Sequence, residues 1–338
     1  MPLLLTREEV ARVLSMKDAI AAVEEGFRQL ALGKVTMPQR TAIRIADHHG
    51  LHLAMPAHVG GKAGNGSEDD GGTEVLAVKV VTVYPDNPAK YHLPTTIGTL
   101  LLNDPRTGAL LAIMDAGFLT GMRTGAVSGV ATKYLARKDA HTVGIFGAGA
   151  MARMQLLAMA EVRPIERVVV CDPAVETRER FADEMSAKIG GAPVHAARAP
   201  EDCLACDIVV AASSSRTPLF NGALLRPGTH LNGIGAHSPE ARELDTETML
   251  RSKVVVDFLP ACLKEAGELM LPISDGAYDE SKVHASLGEV VAGIRTARES
   301  DREITLFKSV GLAVQDAATA ARVYDRARAA GVGTEVKI

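Results

Sequence analysis

The 338-residue chain has no tryptophan, and its five tyrosines and seven phenylalanines hold aromatic content to 4%. With 47% apolar and 23% charged residues it otherwise has an ordinary globular composition, long enough for two domains at roughly 100–200 residues each. It lacks charge of one sign: the net charge is −4 with acids and bases interspersed, so no basic face invites nucleic acid. No apolar run approaches the ~20 residues a membrane helix needs, which excludes a spanning helix. The opening "MPLLLTREEV" meets charge too early for the apolar core of a signal peptide, and a cytoplasmic enzyme or binding protein is expected. Cysteine is scarce. The four are Cys171, Cys203, Cys206 and Cys262, and "CLAC" has no second pair to complete a zinc site, so ordinary buried thiols and no metal are expected.

What is present falls into two patterns. "TREE" from Thr6 and "SMKD" from Ser15 have the spacing of capping boxes, and Ile20, Val23, Phe27 and Leu30 then recur at helical spacing until Gly33. Strands follow in "TAIRI" and "LHLAM", joined by a hairpin turn at "DHHG", then in "VLAVKVVTVY" (75–84), "TIGTLLLND" and "ALLAIMD", with "NDPRTG" as a second turn. The Gly-rich, acidic stretch 60–72 is expected to be a mobile surface loop. The first third is therefore a helix-plus-antiparallel-sheet domain. From about residue 125 strands and helices alternate, the order of a doubly wound parallel sheet, and the segment from Ser309 to Gly331 reads as one long amphipathic helix.

Lys79 is the anomaly in the strand run. Burying an unpaired ammonium costs several kcal/mol or shifts its pKa, so Lys79 either snorkels from an edge or works inside.

"GIFGAGAMA" gives Gly147-x-Gly149-x-x-Ala152 between a strand and a helix, the context a dinucleotide turn requires. Gly147 permits the tight turn, Gly149 lets backbone approach a pyrophosphate, and Ala152 allows close helix–strand packing. Ala148, Ala150 and Met151 line the same turn and the helix N-terminus, whose amides favour an anion. Asp172 stands 25 residues after Gly147 at the end of the next strand, in position to accept hydrogen bonds from a ribose and to repel a 2′-phosphate. No arginine directly follows it, Arg178 and Arg180 lying farther along, so NAD(H) is favoured over NADP(H).

Together with "MPQRT" (37–41), "LAMPAH" (53–58), "VKVVTVYPDN" (78–87), "LTGMRTGAVSGVATKYLAR" (119–137), "LNGIGAHSPEARELD" (231–245) and "ITLFKSVGLAVQD" (304–316), this fingerprint resembles the ornithine cyclodeaminase/μ-crystallin family over nearly the whole chain. The resemblance implies an α/β architecture: a Rossmann doubly wound parallel sheet (125–311) plus a smaller α+β substrate and dimerisation domain (1–124 with 312–338) to which the C-terminal helix returns. It implies a homodimer. Arg40 and Arg123 would hold a substrate carboxylate, Lys79 would stand beside the reacting carbon, and Met55 would join them in binding the substrate. Thr124, Ser213, Gly235, Ala236, Lys308 and Ser309 would join the glycine turn in holding the cofactor. The chemistry agrees: guanidinium groups bind carboxylates bidentately, and a desolvated lysine near other cations has a lowered pKa suited to proton transfer.

The family divides at "GIGAHSPEARELD". Ornithine cyclodeaminases have an aspartate followed by Pro-Gly-Lys where this chain has His237, and the arrangement here is closer to the ketimine reductase and alanine dehydrogenase branch. A partly neutral imidazole does not anchor a second ammonium as an acid does. His237 is either a second proton carrier or a packing residue on the cofactor side. The expected activity is NAD(H)-dependent hydride transfer to or from the C=N carbon of a cyclic or linear α-imino acid. Ornithine cyclodeamination and a non-catalytic dinucleotide-binding role are the alternatives.

Overall fold

The computed structural model describes residues 1–60 and 74–338. The stretch expected to be a mobile loop lies, beyond Gly60, outside the described residues. The chain forms two compact units, Met1–Arg123 with Leu312–Ile338, and Thr124–Gly311.

The first unit begins with a short strand, Leu3–Leu5, where the sequence suggested only a helix start. Leu3 and Leu5 are buried and Leu4 is exposed, the period-2 pattern of a strand, but three residues are too few for that pattern to stand out. This strand runs parallel to Leu110–Asp115, so the sheet is not purely antiparallel as expected. The remaining pairings are antiparallel, in the order Thr334–Glu335, Leu3–Leu5, Leu110–Asp115, Thr96–Asn103, Val75–Val83, Gly50–Val59, Val35–Thr36, with Thr41–Ile45 also on Gly50–Val59.

Two helices follow the capping signals. The Thr6 hydroxyl accepts from the Glu9 N–H at 3.3 Å and the Glu9 carboxylate accepts from the Thr6 N–H at 2.8 Å, which closes the box on Arg7–Val13. Ser15 caps Met16–Ala31 through the Asp18 N–H at 3.1 Å. Asp18, one methylene shorter than Glu9, turns its carboxylate to the Ser15 hydroxyl instead of closing a second box. The C-terminal helix, Ala313–Ala330, lies against Met16–Ala31, and a Cβ on Gly26 would sit 3.2 Å from that of Ala318. Glycine is what permits this approach.

In the second unit every strand pair is parallel, in the order Val194–Ala196, Arg167–Cys171, Thr142–Phe146, Ile208–Ala211, His230–Gly233, Ile304–Lys308, Ser252–Val256, Ala285–Ser286. The chain leaves Thr142–Phe146 in one direction, then returns to pair on its other side, which makes a topological switch point at the end of that strand. That strand order, all parallel and with helices between successive strands, is the doubly wound arrangement expected. The C-terminal helix begins later than the sequence suggested. Asp257 prevents an earlier start, because its Oδ2 accepts from the Ser309 hydroxyl and from the N–H groups of Val310 and Gly311, each at 2.8 Å. Among the described residues no helix is long and apolar enough to cross a membrane.

His230 is fully buried in this sheet, its Nδ1 3.0 Å from the Thr305 hydroxyl. Burial, aided by Arg298 and Arg163, pushes its pKa down to about 3. Below its ordinary value of 6.5 the unfolded chain takes up a proton that the folded chain refuses. Stability from this residue is complete above that pH and declines as pH falls toward the folded value, by about 2 kcal/mol at pH 5. Urea unfolding at the two pH values should show that loss in wild type and not in His230→Gln.

Candidate active site

Lys79 occupies the middle of Val75–Val83, which is paired on both sides, so the edge-strand reading fails. Its direct cross-strand neighbours are Met55 and Leu100, both buried and apolar. The ammonium is only 1% exposed and lies 2.7 Å from Oδ2 of Asp316, itself 1% exposed. Oδ1 of the same carboxylate lies 3.0 Å from Arg123 Nε, and Arg123 Nη1 donates to Gln315 Oε1 at 2.6 Å. Arg40 is half-buried and close enough for its charge to act on Lys79. Desolvation is the main cause that lowers the Lys79 pKa to about 8; Asp316 opposes it, and Arg123 and Arg40 add to it. Lys79 and Arg123 share one carboxylate in this cluster, and the charge of Arg40 acts on the same ammonium.

Arg40, Met55, Lys79 and Arg123 are thus brought together within the first unit. Asp316 and Gln315 escaped sequence reasoning. The available signal was Asp316 on a helical stripe with Ala313, Ala317, Ala320 and Val323, where an acid is out of place.

In the second unit, Gly147 has φ 97°, and a Cβ there would meet the Ala212 carbonyl at 2.6 Å. Gly149 differs: it caps the helix Ala150–Val162, is exposed, and a Cβ there would meet no atom within 4 Å. That space lies over the helix N-terminus, where a pyrophosphate would run. Ala148 is buried, whereas Ala150 and Met151 retain exposure on the first turn. Asp172 accepts from the Ala148 N–H through Oδ2 and from the Ala174 N–H through Oδ1, each at 2.9 Å, which fixes the acid against the glycine turn. Thr124 holds Gln155 of that helix through its carbonyl at 2.9 Å.

The other candidates rest on buried acids the sequence reading missed. Glu243 Oε1 accepts from the Ser213 N–H and hydroxyl at 2.6 Å, and Oε2 from the Gly235 N–H at 2.7 Å, so one carboxylate ties two loops together. Burial pushes its pKa up against those hydrogen bonds. Lys308 is fully buried, 3.0 Å from Glu268 Oε2, and donates to the Ala236 carbonyl at 2.6 Å. Glu268 Oε1 accepts from the Glu243 N–H at 3.0 Å. Ser309 is committed to Asp257. His237 is exposed, with Nδ1 3.0 Å from the Gly235 carbonyl. Cys203 and Cys206 are buried free thiols; burial raises the pKa of both, Cys206 to about 11. They therefore remain protonated and inert.

The open space at Gly149, the helix N-terminus and the anchored Asp172 fit a bound dinucleotide on this unit. Comparison with known proteins agrees. The chain is similar to the alanine dehydrogenase of Archaeoglobus fulgidus, 41% identical over 335 residues, which cover 99% of this chain and 98% of that one. It is similar to the structure of Thermococcus litoralis Δ1-pyrroline-2-carboxylate reductase in complex with NADH and L-proline, at TM-score 0.92 and 46% identity over 99% of this chain and 100% of that one. An archaeal alanine dehydrogenase dimer with bound NAD superposes at TM-score 0.91 with 39% identity, covering 100% of this chain and 99% of that one. The ornithine cyclodeaminase/mu-crystallin profile matches residues 1–331, and the chain belongs to that family.

Proposed function

We propose that this protein is an NAD(H)-dependent imine reductase or amino-acid dehydrogenase acting on α-imino acids and their L-amino-acid counterparts. The observation that carries the reading is the buried Lys79–Asp316–Arg123 cluster, a proton carrier with a pKa near 8 next to a guanidinium. A bound nicotinamide supplies or accepts the hydride at the substrate carbon. Arg123 and Arg40 bind the substrate carboxylate. Protonated Lys79 gives its proton to the imine nitrogen during reduction, and neutral Lys79 removes it during oxidation. Gly147–Met151, with Thr124 nearby, would hold the phosphates of a dinucleotide and Asp172 would accept hydrogen bonds from its ribose, which would favour NADH over NADPH through repulsion of a 2′-phosphate. Glu243 and Lys308 shape the loops that carry Ser213, Gly235 and Ala236. His237 stays on the exposed rim of that loop.

The working form is a homodimer. Ile43, His52, Thr82 and Ile97 form a single cross-strand row on one face of the first unit's sheet, and its two isoleucines are 54% and 44% exposed among the described residues. A second copy would cover it.

The deciding experiment is NADH and NADPH oxidation with cyclic imino acids (pyrroline- and piperideine-2-carboxylate) and with 2-oxo acids plus ammonia. Turnover with NADH at least tenfold more efficient than with NADPH is expected. Proline formed from ornithine without net NADH change would assign a cyclodeaminase instead. NADH binding with no turnover on any substrate would leave a binding protein.

A further inference from the structure

We infer that Asp316 is a positioning residue for this reaction: a single carboxylate on the C-terminal helix fixes the proton-carrying amine and the carboxylate-binding guanidinium relative to each other and keeps the amine charged. The inference rests on the activity proposed above and adds to it a residue that contacts neither hydride nor substrate carbon. Its two oxygens are divided, Oδ2 toward Lys79 at 2.7 Å and Oδ1 toward Arg123 at 3.0 Å. Each oxygen faces a cation, and it is Coulomb attraction to those two cations, with the hydrogen bond to Lys79, that offsets desolvation of the buried carboxylate. Charge therefore matters more here than shape.

Each element around the cluster has a defined part. Strand Val75–Val83 contributes Lys79, helix Ala116–Leu135 contributes Arg123, and Arg40 precedes strand Thr41–Ile45. The neighbouring strands place apolar Met55 and Leu100 directly opposite the lysine. Helix Met16–Ala31 buries Val23, Gly26 and Phe27, and the close approach at Gly26 sets how near the C-terminal helix can come. Asp316 is thus the acid that acts on Lys79, against two arginines that oppose the ammonium. Gln315 completes the arrangement by holding Arg123 Nη1.

The test compares wild type with Asp316→Asn, which keeps the shape and removes the charge. Protein with ¹⁵N-labelled lysine is titrated by NMR without substrate, the Lys79 Nζ signal being assigned by its loss in Lys79→Met. The wild-type signal should titrate near pH 8, and in Asp316→Asn at least one unit lower. For the same reason kcat/KM for imine reduction should fall about tenfold at pH 9, with the NADH dissociation constant unchanged. An unshifted Lys79 titration overturns the inference. If wild type reduces no imine, the proposed activity fails while the titration still decides the coupling. Asp316→Glu keeps the charge on a longer arm, and it serves if the asparagine variant does not fold: the Lys79 titration should stay near 8 while kcat/KM falls at least tenfold. Wild-type kcat/KM in that variant would also overturn the inference.

Discussion

Replacing Lys79 by methionine is expected to lower kcat/KM for imine reduction by about 10²–10⁴ while NADH affinity stays within about twofold. The methionine side chain is unbranched and similar in length, and it would lie between Met55 and Leu100, so the strand register has no reason to change. Asp316 keeps Arg123 as its partner, and the carboxylate is not left without a cation. What disappears is the proposed proton carrier. Its pKa of about 8 also fixes the sign of the pH dependence. Reduction needs the ammonium, so wild-type kcat/KM should be level below about pH 8 and fall tenfold per unit above it. Oxidation of the amino acid needs the free amine and should rise to a plateau over the same range. Steady-state rates in both directions, with NADH binding followed by its fluorescence, check all three statements. Near-wild-type turnover in Lys79→Met would remove the lysine from the chemistry.

The second large effect belongs to the other unit. Lys308→Met leaves Glu268 buried without its cation, and breaking such a pair costs about 3–5 kcal/mol. For a unit of this size that lowers the melting midpoint by roughly 10 °C. It also releases the Ala236 carbonyl and loosens the loop proposed to hold the cofactor, so NADH affinity should fall with stability. Lys308→Met combined with Glu268→Gln removes the orphaned charge yet keeps an acceptor for the Glu243 N–H, and it should recover at least half of the lost midpoint. Thermal unfolding of the three proteins checks this. An unchanged midpoint with lost NADH binding would instead make Lys308 a direct ligand rather than a buried support.

The elements that were legible share a feature: their signal is local. The Thr6 and Ser15 caps, the "DHHG" turn and the Gly147 turn each depend on atoms a few residues apart, so side-chain type and spacing suffice. Helix Ala116–Leu135 left little periodicity to read, because most of it is buried on all sides and its polar residues do not separate onto one solvent face. Strand Ile304–Lys308 was missed for a similar reason. It is wholly buried between two parallel neighbours, and its place beside His230–Gly233 depends on a connection that returns from Ser252–Val256 and beyond.

By itself the sequence determined that a glycine turn of dinucleotide type stands between a strand and a helix, that an ammonium sits in an apolar strand, and that Arg40 and Arg123 lie in the motifs that carry the family resemblance. Only the tertiary structure decided what offsets those charges. Arg123 meets Gln315 across 192 residues of chain, and Asp316 and Lys79 are farther apart still. A buried charge must find its counter-charge in space, and no local pattern records which distant acid the fold will bring to it.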